Sequence, residues 1–538
     1  MTVIVNSRRD FTLENYRRVM LGGESLKVGP RAKKAMTDAR KSFRAFLESD
    51  PTQFIYGVTS GFGPQAKTAV SPEEQRKHAE RTNPTRQTGA GFGTQMLPDR
   101  VVRGIIFSLL SSLIEGHGKV RPAIAERLAA MLDRPLPEVP LSGQVGAGEI
   151  LPLAHVLSAM PEGDWEEGEP GALFAGSSAT AGLIADVALV ARRRLELAEQ
   201  VFCLSIEAMR APLEAYDPDL VHLWGDPYEG EAIRRINALL RGGAKDRRFY
   251  QAPVSWRILP RVLGAARRAV ATAEEVAGYA IASVNGNPTY VLPTKQKPLG
   301  YTVSNGGYHN GTAYPAIDSL NAAYADLVTL ADHHTTKMQN TAVSELPNYL
   351  TKGEGFGTAI LGFIQIGFGE EARHAAQRTF LPPSEGGGYG QNDVASPTFF
   401  AYQKHLTANR CFDSAMAILA TVASQALWVT ERKAPPQLAA FLDGVRSIVR
   451  PFDGKGERNT GRELERLATA LGDGALTGAF PPPRTKAVAR SRAKVVTRKP
   501  APRPPARPKP VAGRRPAPKR TAAKRPAAKR GSPRPKRG

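Results

Sequence analysis

Residues that can transfer protons or bind charged groups stand beside glycine-rich segments far apart in the chain. Glycine permits backbone angles that other residues avoid and lets the chain approach a ligand closely. One interpretation is a site assembled from separate loops, and the other is a set of ordinary turns between helices. The glycine-rich segments are 57–63, 143–148, 306–311 and 386–390. The neighbouring residues are Tyr56, Tyr308, His309, Gln391 and Asn392.

These side chains, and those of Arg257 and His155 elsewhere in the chain, are candidates for chemistry, and most of them also have a structural interpretation. Tyr56 can take a proton from a substrate, or it can be a packed aromatic residue of its loop. Arg257 can hold a carboxylate through two parallel hydrogen bonds, or it can belong to a structural ion pair. Gln391, Asn392, Tyr308 and His309 are candidates for substrate binding, and the two amides can orient polar substrate groups. For His155 and His309, a hydrogen-bonded core histidine is the more common role.

The elements that must position these residues are mostly helical. In 101–134 and 261–283, apolar residues recur three and four positions apart, which places them on one helical face. Strand-like alternation is confined to 289–291 and 301–303. We predict a mainly α fold, with a loop-rich N-terminal part (about 1–210) and a central long-helix bundle (about 211–483). Further long helices are expected at about 179–210, 315–340, 357–377 and 398–427.

Composition excludes several classes of protein. Apolar residues make up 41% of the 538 residues, which is ordinary for a globular protein. No apolar run approaches the roughly 20 residues of a membrane helix, and the start lacks a secretory pattern. The two cysteines, Cys203 and Cys411, match no metal spacing. We expect a cytoplasmic protein without a metal site or a membrane segment.

The net charge of +23 resides in the C-terminal tail. Residues 484–538 hold 21 Lys and Arg and no Asp or Glu, which leaves +2 for residues 1–483. Repeated prolines, like charges and scarce apolar residues predict a disordered tail. Such a tail can neutralise phosphates on nucleic acid or contact another polyanion, or it can be a solubilising extension. It has no aromatic residue on which bases could stack.

Eight segments, in matching order along about residues 15–480, resemble the aromatic amino-acid ammonia-lyase family of histidine and phenylalanine ammonia-lyases. Each segment is weak alone, and the ordered set carries the resemblance. The segments are YGVTSGFG (56–63), GHGKVRP (116–122), VPLSGQVGAGEILPLAH (139–155), LSIEAMRAPLEAYDP (204–218), QAPVSWRILPRVLGAA (251–266), NGNPTY (285–290), GGYHN (306–310) and QNDVAS (391–396).

The resemblance implies a largely helical tetramer whose active sites draw loops from three subunits. The family removes ammonia from an aromatic amino acid without an external cofactor. Its electrophile is a methylidene-imidazolone ring, made when an internal Ala-Ser-Gly tripeptide cyclises and loses water. Tyr56 stands where the family has a catalytic base, and Arg257 lies in the segment with its substrate-carboxylate arginine.

The cofactor segment departs from the family pattern. The family reads Gly-Ser-Val-Gly-Ala-Ser-Gly-Asp, whereas this chain reads Gly-Gln-Val-Gly-Ala-Gly-Glu over 143–149. Aligned from both ends, the serine is missing and Ala147 is joined directly to Gly148. Because the serine β-carbon becomes the methylidene, we expect no methylidene-imidazolone here. The pairs Ser60-Gly61 and Ser142-Gly143 are alternative precursors, but nothing indicates the tightly bent backbone that cyclisation needs.

Other polar positions of the family pattern have changed as well. Replacements occur at five positions: the asparagine and glutamine after the cofactor segment, the Asp and Tyr of the arginine segment, and the asparagine near 307. The substrate-selecting position falls at the neutral pair Gln87–Thr88, so the substrate class stays open. The replacing residues are Ala175, Ser178, Ala252, Val254 and Gly307.

Three functions remain open. The first is an enzyme acting on an amino acid or related carboxylic acid, with Tyr56 as base and Arg257 as clamp. The second is a silent partner subunit, so that the assembly is a homotetramer or a hetero-oligomer with an intact paralogue. The third is a binding protein localised by the polyanion-binding tail 484–538.

Overall fold

The computed structural model describes residues 2–61, 65–71, 73–74, 77, 93–144, 146–161, 164–174, 176–353, 357–382, 390, 392–453 and 458–476. These residues lie in the first of the two units into which the chain divides, Met1–Arg484. Four sequence-based predictions fall outside the described residues. They concern Gln391, the pair Gln87–Thr88, Ala175 and the tail 484–538.

The described part of the chain is mainly helical, which confirms the predicted fold class. The longer helices are α1 (Leu13–Met20), α2 (Pro30–Ser49), α3 (Asp99–Leu113), α4 (Pro122–Met131), α5 (Ile150–Leu157), α6 (Ser178–Met209), α7 (Pro227–Leu239), α8 (Leu259–Ile281), α9 (Ala313–Met338), α10 (Ala359–Ala375), α11 (Thr398–Val429), α12 (Pro436–Ile448) and α13 (Thr460–Gly472). Single helical turns are Arg8–Asp10, Ala147–Glu149, Gly171–Phe174, Glu214–Tyr216, Leu220–Trp224, Val254–Arg257, Thr341–Ser344 and Asn348–Leu350.

Two small sheets accompany the helices. Strand β1 (Thr2–Val5) pairs in parallel with β2 (Ser25–Val28). Strand β3 (Thr289–Val291) pairs antiparallel with β4 (Tyr301–Val303), with Tyr290 opposite Thr302. The positions of β3 and β4 agree with the two strand-like pieces predicted from the sequence.

The core is a helical bundle centred on α6, α9 and α11, with α3, α8 and α10 packed around them. The apolar stretch ending at Met209 and the helix α11 are long and apolar enough to span a bilayer by length and composition alone. However, 82% and 78% of their most apolar windows are buried inside the protein. Helices that are apolar all round are expected at the centre of a large core, so core packing accounts for their composition.

Helices α6, α9 and α11 run in the same direction. Tyr402 of α11 donates to Asp186 near the start of α6 (2.9 Å), and Asp413 pairs with Arg194 further along both helices. His405 of α11 lies 2.8 Å from Asn321 in the first half of α9, and Ser205 near the end of α6 lies 2.7 Å from His334 near the end of α9. The N-termini of these three helices therefore meet at one end, which we call the N-terminal end of the bundle.

Helices α3, α8 and α10 run the opposite way. In α10 and α11, Gln365 donates to the Ala415 carbonyl at 3.5 Å, and Glu371 pairs with Arg410. In α3 and α6, Arg100 pairs with Asp186, and Gly104 packs against Gly182. In α8 and α6, Arg267 binds Glu199 while Glu274 binds Arg192. The start of α8, at Leu259, therefore lies at the opposite end of the bundle from the starts of α6, α9 and α11.

The structure differs from the sequence-based expectation at two boundaries. The helical pattern of 101–134 is divided between α3 and α4. The break contains Gly116, at φ +90°, where a Cβ atom would lie 2.3 Å from the Ala39 Cβ. The bundle starts at Ser178 rather than at about residue 211, because α6 is enclosed by α3, α8 and α11.

The Arg194–Asp413 pair should be a main support of the parallel helix arrangement. Its two hydrogen bonds measure 2.9 and 2.7 Å, and both residues are buried. We expect Asp413→Asn to lower the free energy of unfolding by about 3–5 kcal/mol, because it leaves the Arg194 charge buried and unpaired. The measurement is urea unfolding. The exposed pair Lys34–Asp38 provides the control, since Asp38→Asn should cost about 0.5 kcal/mol or less. Equal effects of the two substitutions would contradict this account.

Candidate functional site

The turn Ala147–Glu149, in the segment where we expect the cofactor serine to be missing, lies at the N-terminal end of the bundle. Ala147–Glu149 is a 3-10 turn in which Gly148 has φ +71° and Glu149 has φ +52°. The left-handed region suits glycine, whereas Glu149 adopts it at a cost in strain. The Gly148 carbonyl accepts a hydrogen bond from the Gly176 N–H at 3.1 Å, which ties the turn to the start of α6.

Glu149 caps helix α6. Its carboxylate accepts hydrogen bonds from the backbone N–H groups of Ala179 (2.8 Å) and Thr180 (3.1 Å). A carboxylate at a helix N-terminus satisfies otherwise unpaired donors and interacts favourably with the helix dipole. Burial raises the pKa of Glu149 to about 7, although these hydrogen bonds favour the ionised form.

The loop 306–310 reaches the same end of the bundle. Ser177 Oγ donates to the Gly307 carbonyl at 3.1 Å, and Asn310 Oδ1 caps the start of α9. Tyr308 and His309 are half-buried in this loop. Burial lowers the pKa of His309, which favours its neutral imidazole. The structure thus brings Tyr308 and His309 to the end of the bundle that holds Ala147 and Gly148.

Asn285 connects three segments at this end and was given no role from the sequence. Its side chain accepts from Ser112 Oγ (2.9 Å) and donates to Ser178 Oγ (3.2 Å). A Cβ atom on Gly176 would lie 2.6 Å from Asn285 Oδ1, so glycine is needed there. The NGNPTY segment was the available sequence signal. Ser178 therefore serves to hydrogen-bond Asn285 at the helix start.

Tyr56 occupies a turn that adjoins the strand after Asn285. The Ile55 carbonyl accepts hydrogen bonds from the N–H groups of Val58, Thr59 and Ser60 at 3.0, 3.0 and 3.1 Å. Ile55 and Val58 belong to a small apolar cluster with Tyr290 of β3. Tyr56 is half-buried in this turn. The turn contacts Tyr290, and the Asn285–Tyr290 segment connects it with the N-terminal end of the bundle.

Arg257 lies at the opposite end of the bundle. It ends the turn Val254–Arg257, directly before α8, and its neighbour Trp256 stacks on His334 with ring centroids 3.7 Å apart. The helical rise of α9 from Ala313 to His334 is about 31 Å at 1.5 Å per residue. Arg257 is therefore too far from Tyr308 and His309 to share a site with them within one subunit.

The surroundings of Arg257 leave its guanidinium available. The side chain is half-buried, and its Nε donates to the Ala252 carbonyl at 3.0 Å. No carboxylate among the described residues pairs with it. The structural ion pair considered for Arg257 from the sequence thus has no counterpart in this part of the chain.

Asn392 is half-buried in the segment leading to α11, six residues before Thr398. That position puts it at the N-terminal end of the bundle, with Tyr308 and His309. Within the described ranges, no group of three His, Cys, Asp or Glu side chains could hold a metal ion. The described candidates thus comprise an N-terminal set, the adjoining Tyr56 turn and the distant Arg257.

The raised pKa of Glu149 predicts a pH-dependent stability. An acid whose folded pKa is raised stabilises the fold most below its unfolded pKa, about 4.3, and this contribution is lost as pH rises to about 7. We expect the free energy of unfolding of Glu149→Gln, relative to the unsubstituted protein, to rise by up to about 3 kcal/mol between pH 4.5 and 8. Urea unfolding at both pH values measures it. A constant difference would show that the pKa of Glu149 is not raised.

Comparison with known protein sequences identifies relatives along most of the chain. The family model for aromatic amino acid lyases matches residues 11–169 and 163–447. A probable histidine ammonia-lyase of Thermoplasma volcanium is 26% identical over 505 residues, covering 87% of this chain and 98% of that protein. A histidine ammonia-lyase of Deinococcus radiodurans is 29% identical over 386 residues, covering 66% of this chain and 72% of that protein.

Solved structures share the fold. Ergothionase of Treponema denticola, an ergothioneine-degrading enzyme, superposes with a TM-score of 0.78 at 16% identity, covering 89% of this chain and 100% of that chain. Tyrosine aminomutase of Streptomyces globisporus gives 0.75 at 23% identity, covering 89% and 98%. Both have long helical folds like the one described above. Together with the sequence match, these likenesses confirm the predicted family: the chain belongs to the aromatic amino acid lyases, a family of C–N lyases.

Proposed function

We propose that this protein is a divergent lyase-family enzyme that acts on an amino acid or a related carboxylic acid without a methylidene-imidazolone group. Tyr56 is the base and Arg257 the carboxylate clamp. The observation that carries the proposal is the half-buried Arg257, whose guanidinium pairs with no carboxylate among the described residues. A planar fork of donors left available in this way suits the carboxylate of a substrate.

The residues of the 143–149 segment do not fit the family's electrophile. Ala147 is bonded directly to Gly148, and neither side chain has a hydroxyl group to eliminate. The carbonyl of Gly148 is engaged by Gly176, and the carboxylate of Glu149 is engaged by Ala179 and Thr180. The turn is therefore held as part of the helix start.

Without the ring, elimination of ammonia lacks its electron sink. The barrier must then be lowered by electrostatic and positioning effects, or the reaction must be a less demanding one. Three helix N-termini converge near the candidate residues and provide partial positive charge there. We place the reacting part of the substrate at this end, with the proton taken by Tyr56.

The assembly follows from the distance between the candidate residues. Arg257 lies at the far end of the bundle from Tyr308 and His309, so one subunit does not supply the full set. We propose that neighbouring copies complete the site, as a homotetramer or as a hetero-oligomer with an intact paralogue. In the hetero-oligomer, this chain lends residues to a site whose electrophile the paralogue carries. The replaced positions Ala252, Val254 and Gly307 favour this second arrangement.

The relatives support a choice of first substrates to test. Histidine ammonia-lyases, an ergothioneine-degrading enzyme and a tyrosine aminomutase all stand among the matches. We therefore propose an amino acid with an imidazole or aromatic ring as the first substrate to test.

The proposal predicts ammonia release that depends on Tyr56. With L-histidine, L-phenylalanine or L-tyrosine, the purified protein should release ammonia at a rate that Tyr56→Phe lowers by about 100-fold or more, since the base is lost. Arg257→Ala should also lower the rate, mainly through weaker carboxylate binding. The measurement is enzymatic detection of ammonia. Release that persists in Tyr56→Phe would contradict the role of Tyr56. No release from any of these amino acids would contradict a simple lyase activity. Co-purification would then be used to search for an intact partner subunit.

Mixed assembly of the two variants tests the shared site. Tyr56→Phe and Arg257→Ala chains, expressed together, should recover part of the activity because some sites then combine an intact Tyr56 with an intact Arg257. A chain with both substitutions, co-expressed with the unsubstituted protein, is the control for simple dilution. Mixtures that stay as inactive as the separate variants would place both residues in one subunit.

We further propose that the tail 484–538 binds a polyanion such as nucleic acid, because it carries 21 basic and no acidic residues. Full-length protein should bind double-stranded DNA or RNA with an affinity that falls steeply as salt rises, and truncation after Pro483 should abolish binding. Fluorescence anisotropy across a salt series measures this. Equal affinity of the truncated and full-length chains would place any binding in the body.

A further inference from the structure

Gln144 is a buried amide without hydrogen-bond partners. Its exposed fraction is 3%, and both Nε2 and Oε1 are unpaired within the described part of the chain. Gln425 is a buried amide of this protein that is fully paired. At 1% exposure, its Nε2 donates to the carbonyls of Leu350 and Phe452, and its Oε1 accepts from the Phe452 N–H. Buried amides in native proteins are normally paired, so the unpaired Gln144 requires an explanation.

The position of Gln144 connects it with the candidate site. It lies three residues before Ala147, in a segment fixed on both sides. On one side Gln403 of α11 donates to the Leu141 carbonyl at 2.9 Å, and on the other the Gly148 carbonyl accepts from Gly176 at the start of α6. Gln144 thus lies between attachments to the N-terminal parts of α11 and α6.

The described backbone N–H groups at the starts of α6 and α9 do not hydrogen-bond to the Gln144 side chain. Glu149 binds the first N–H groups of α6, and Asn310 binds those of α9. Where the family segment has a short serine, this chain has a longer carboxamide, one donor group and one acceptor in the same plane. The segment that lost the serine needed for an electrophile has therefore gained a polar side chain with its binding capacity unused.

We infer that Gln144 is a substrate-binding residue that contacts the amino group of an α-amino-acid substrate, an inference that rests on the proposed function. The Gln144 Oε1 accepts a hydrogen bond from the substrate ammonium, and Nε2 donates to a substrate oxygen. Arg257 of another copy holds the carboxylate. Hydrogen bonds with Gln144 thus hold the substrate amine at a turn that lacks the serine precursor of the electrophile.

Binding of matched ligands tests this inference. The probes are L-histidine, L-phenylalanine and L-tyrosine, each beside the same acid without its amino group, titrated into the full-length protein by calorimetry. We expect the unsubstituted protein to bind at least one amino acid about tenfold more tightly than its matched acid, and Gln144→Leu to bind both members of the pair within about twofold. A tenfold preference that persists in Gln144→Leu would overturn the inference.

Arg257→Lys separates the two proposals, because it should weaken both members of the pair and keep the preference for the amine. If Arg257→Lys has this effect while Gln144→Leu keeps the preference, the proposed function stands and the role of Gln144 is wrong. If the unsubstituted protein binds none of the six probes, the proposed function fails and the role of Gln144 fails with it.

Thermal unfolding without ligand keeps the test independent of binding. Because the amide of Gln144 is unpaired, Gln144→Leu should leave Tm unchanged or raise it. Gln425→Leu is the matched control and should lower Tm, since it leaves three backbone groups without their partner. A fall in Tm of Gln144→Leu as large as that of Gln425→Leu would show a structural role and overturn the inference.

Discussion

The arrangement of the candidate site depends on the common direction of α6, α9 and α11. The Arg194–Asp413 pair and the Asp186–Tyr402 hydrogen bond hold α6 and α11 side by side, and the Asn321–His405 contact holds α9 to α11. The connection from α6 to α9 contains the antiparallel helix α8, and the connection from α9 to α11 contains the antiparallel helix α10. Alternation of this kind places the starts of α6, α9 and α11 at one end.

The same alternation separates Arg257 from the other candidates. Arg257 directly precedes α8, a returning helix, so it must lie at the other end of the bundle. A site that uses both Arg257 and the loop 306–310 therefore needs more than one copy of the chain. The proposed loss of the serine would change the chemistry at one end, whereas the helix directions that bring the loops together match a lyase fold. This accounts for a lyase scaffold that persists around a changed cofactor segment.

Much of the fold could be predicted from the residues. The period of apolar residues placed α11 at about 398–427, close to the observed Thr398–Val429, and short alternation located β3 and β4. The pattern in 101–134 did not reveal the break between α3 and α4, because apolar spacing continues across it. The close packing of Gly116 against Ala39 involves a distant segment that periodicity does not report.

Less of the candidate site than of the fold could be predicted from the sequence. The residue types pointed to Tyr56, Arg257, Tyr308 and His309, but which of them meet depends on helix direction and on the assembly. The capping role of Glu149 and the connecting role of Asn285 arise from long-range hydrogen bonds to Thr180, Ser112 and Ser178. Likewise, only the packed structure shows that Gln144 is buried and unpaired.

We expect that the family's electrophile does not form in this chain, and intact-protein mass spectrometry tests this expectation most directly. Formation of a methylidene-imidazolone ring removes water from the polypeptide, so the mass of the natively purified protein reports on the ring. We predict a mass equal to that of the encoded residues, with every peptide spanning 139–155 unmodified. A mass lower by whole water molecules, mapped to 139–155 or to Ser60-Gly61, would contradict it and restore a conventional lyase.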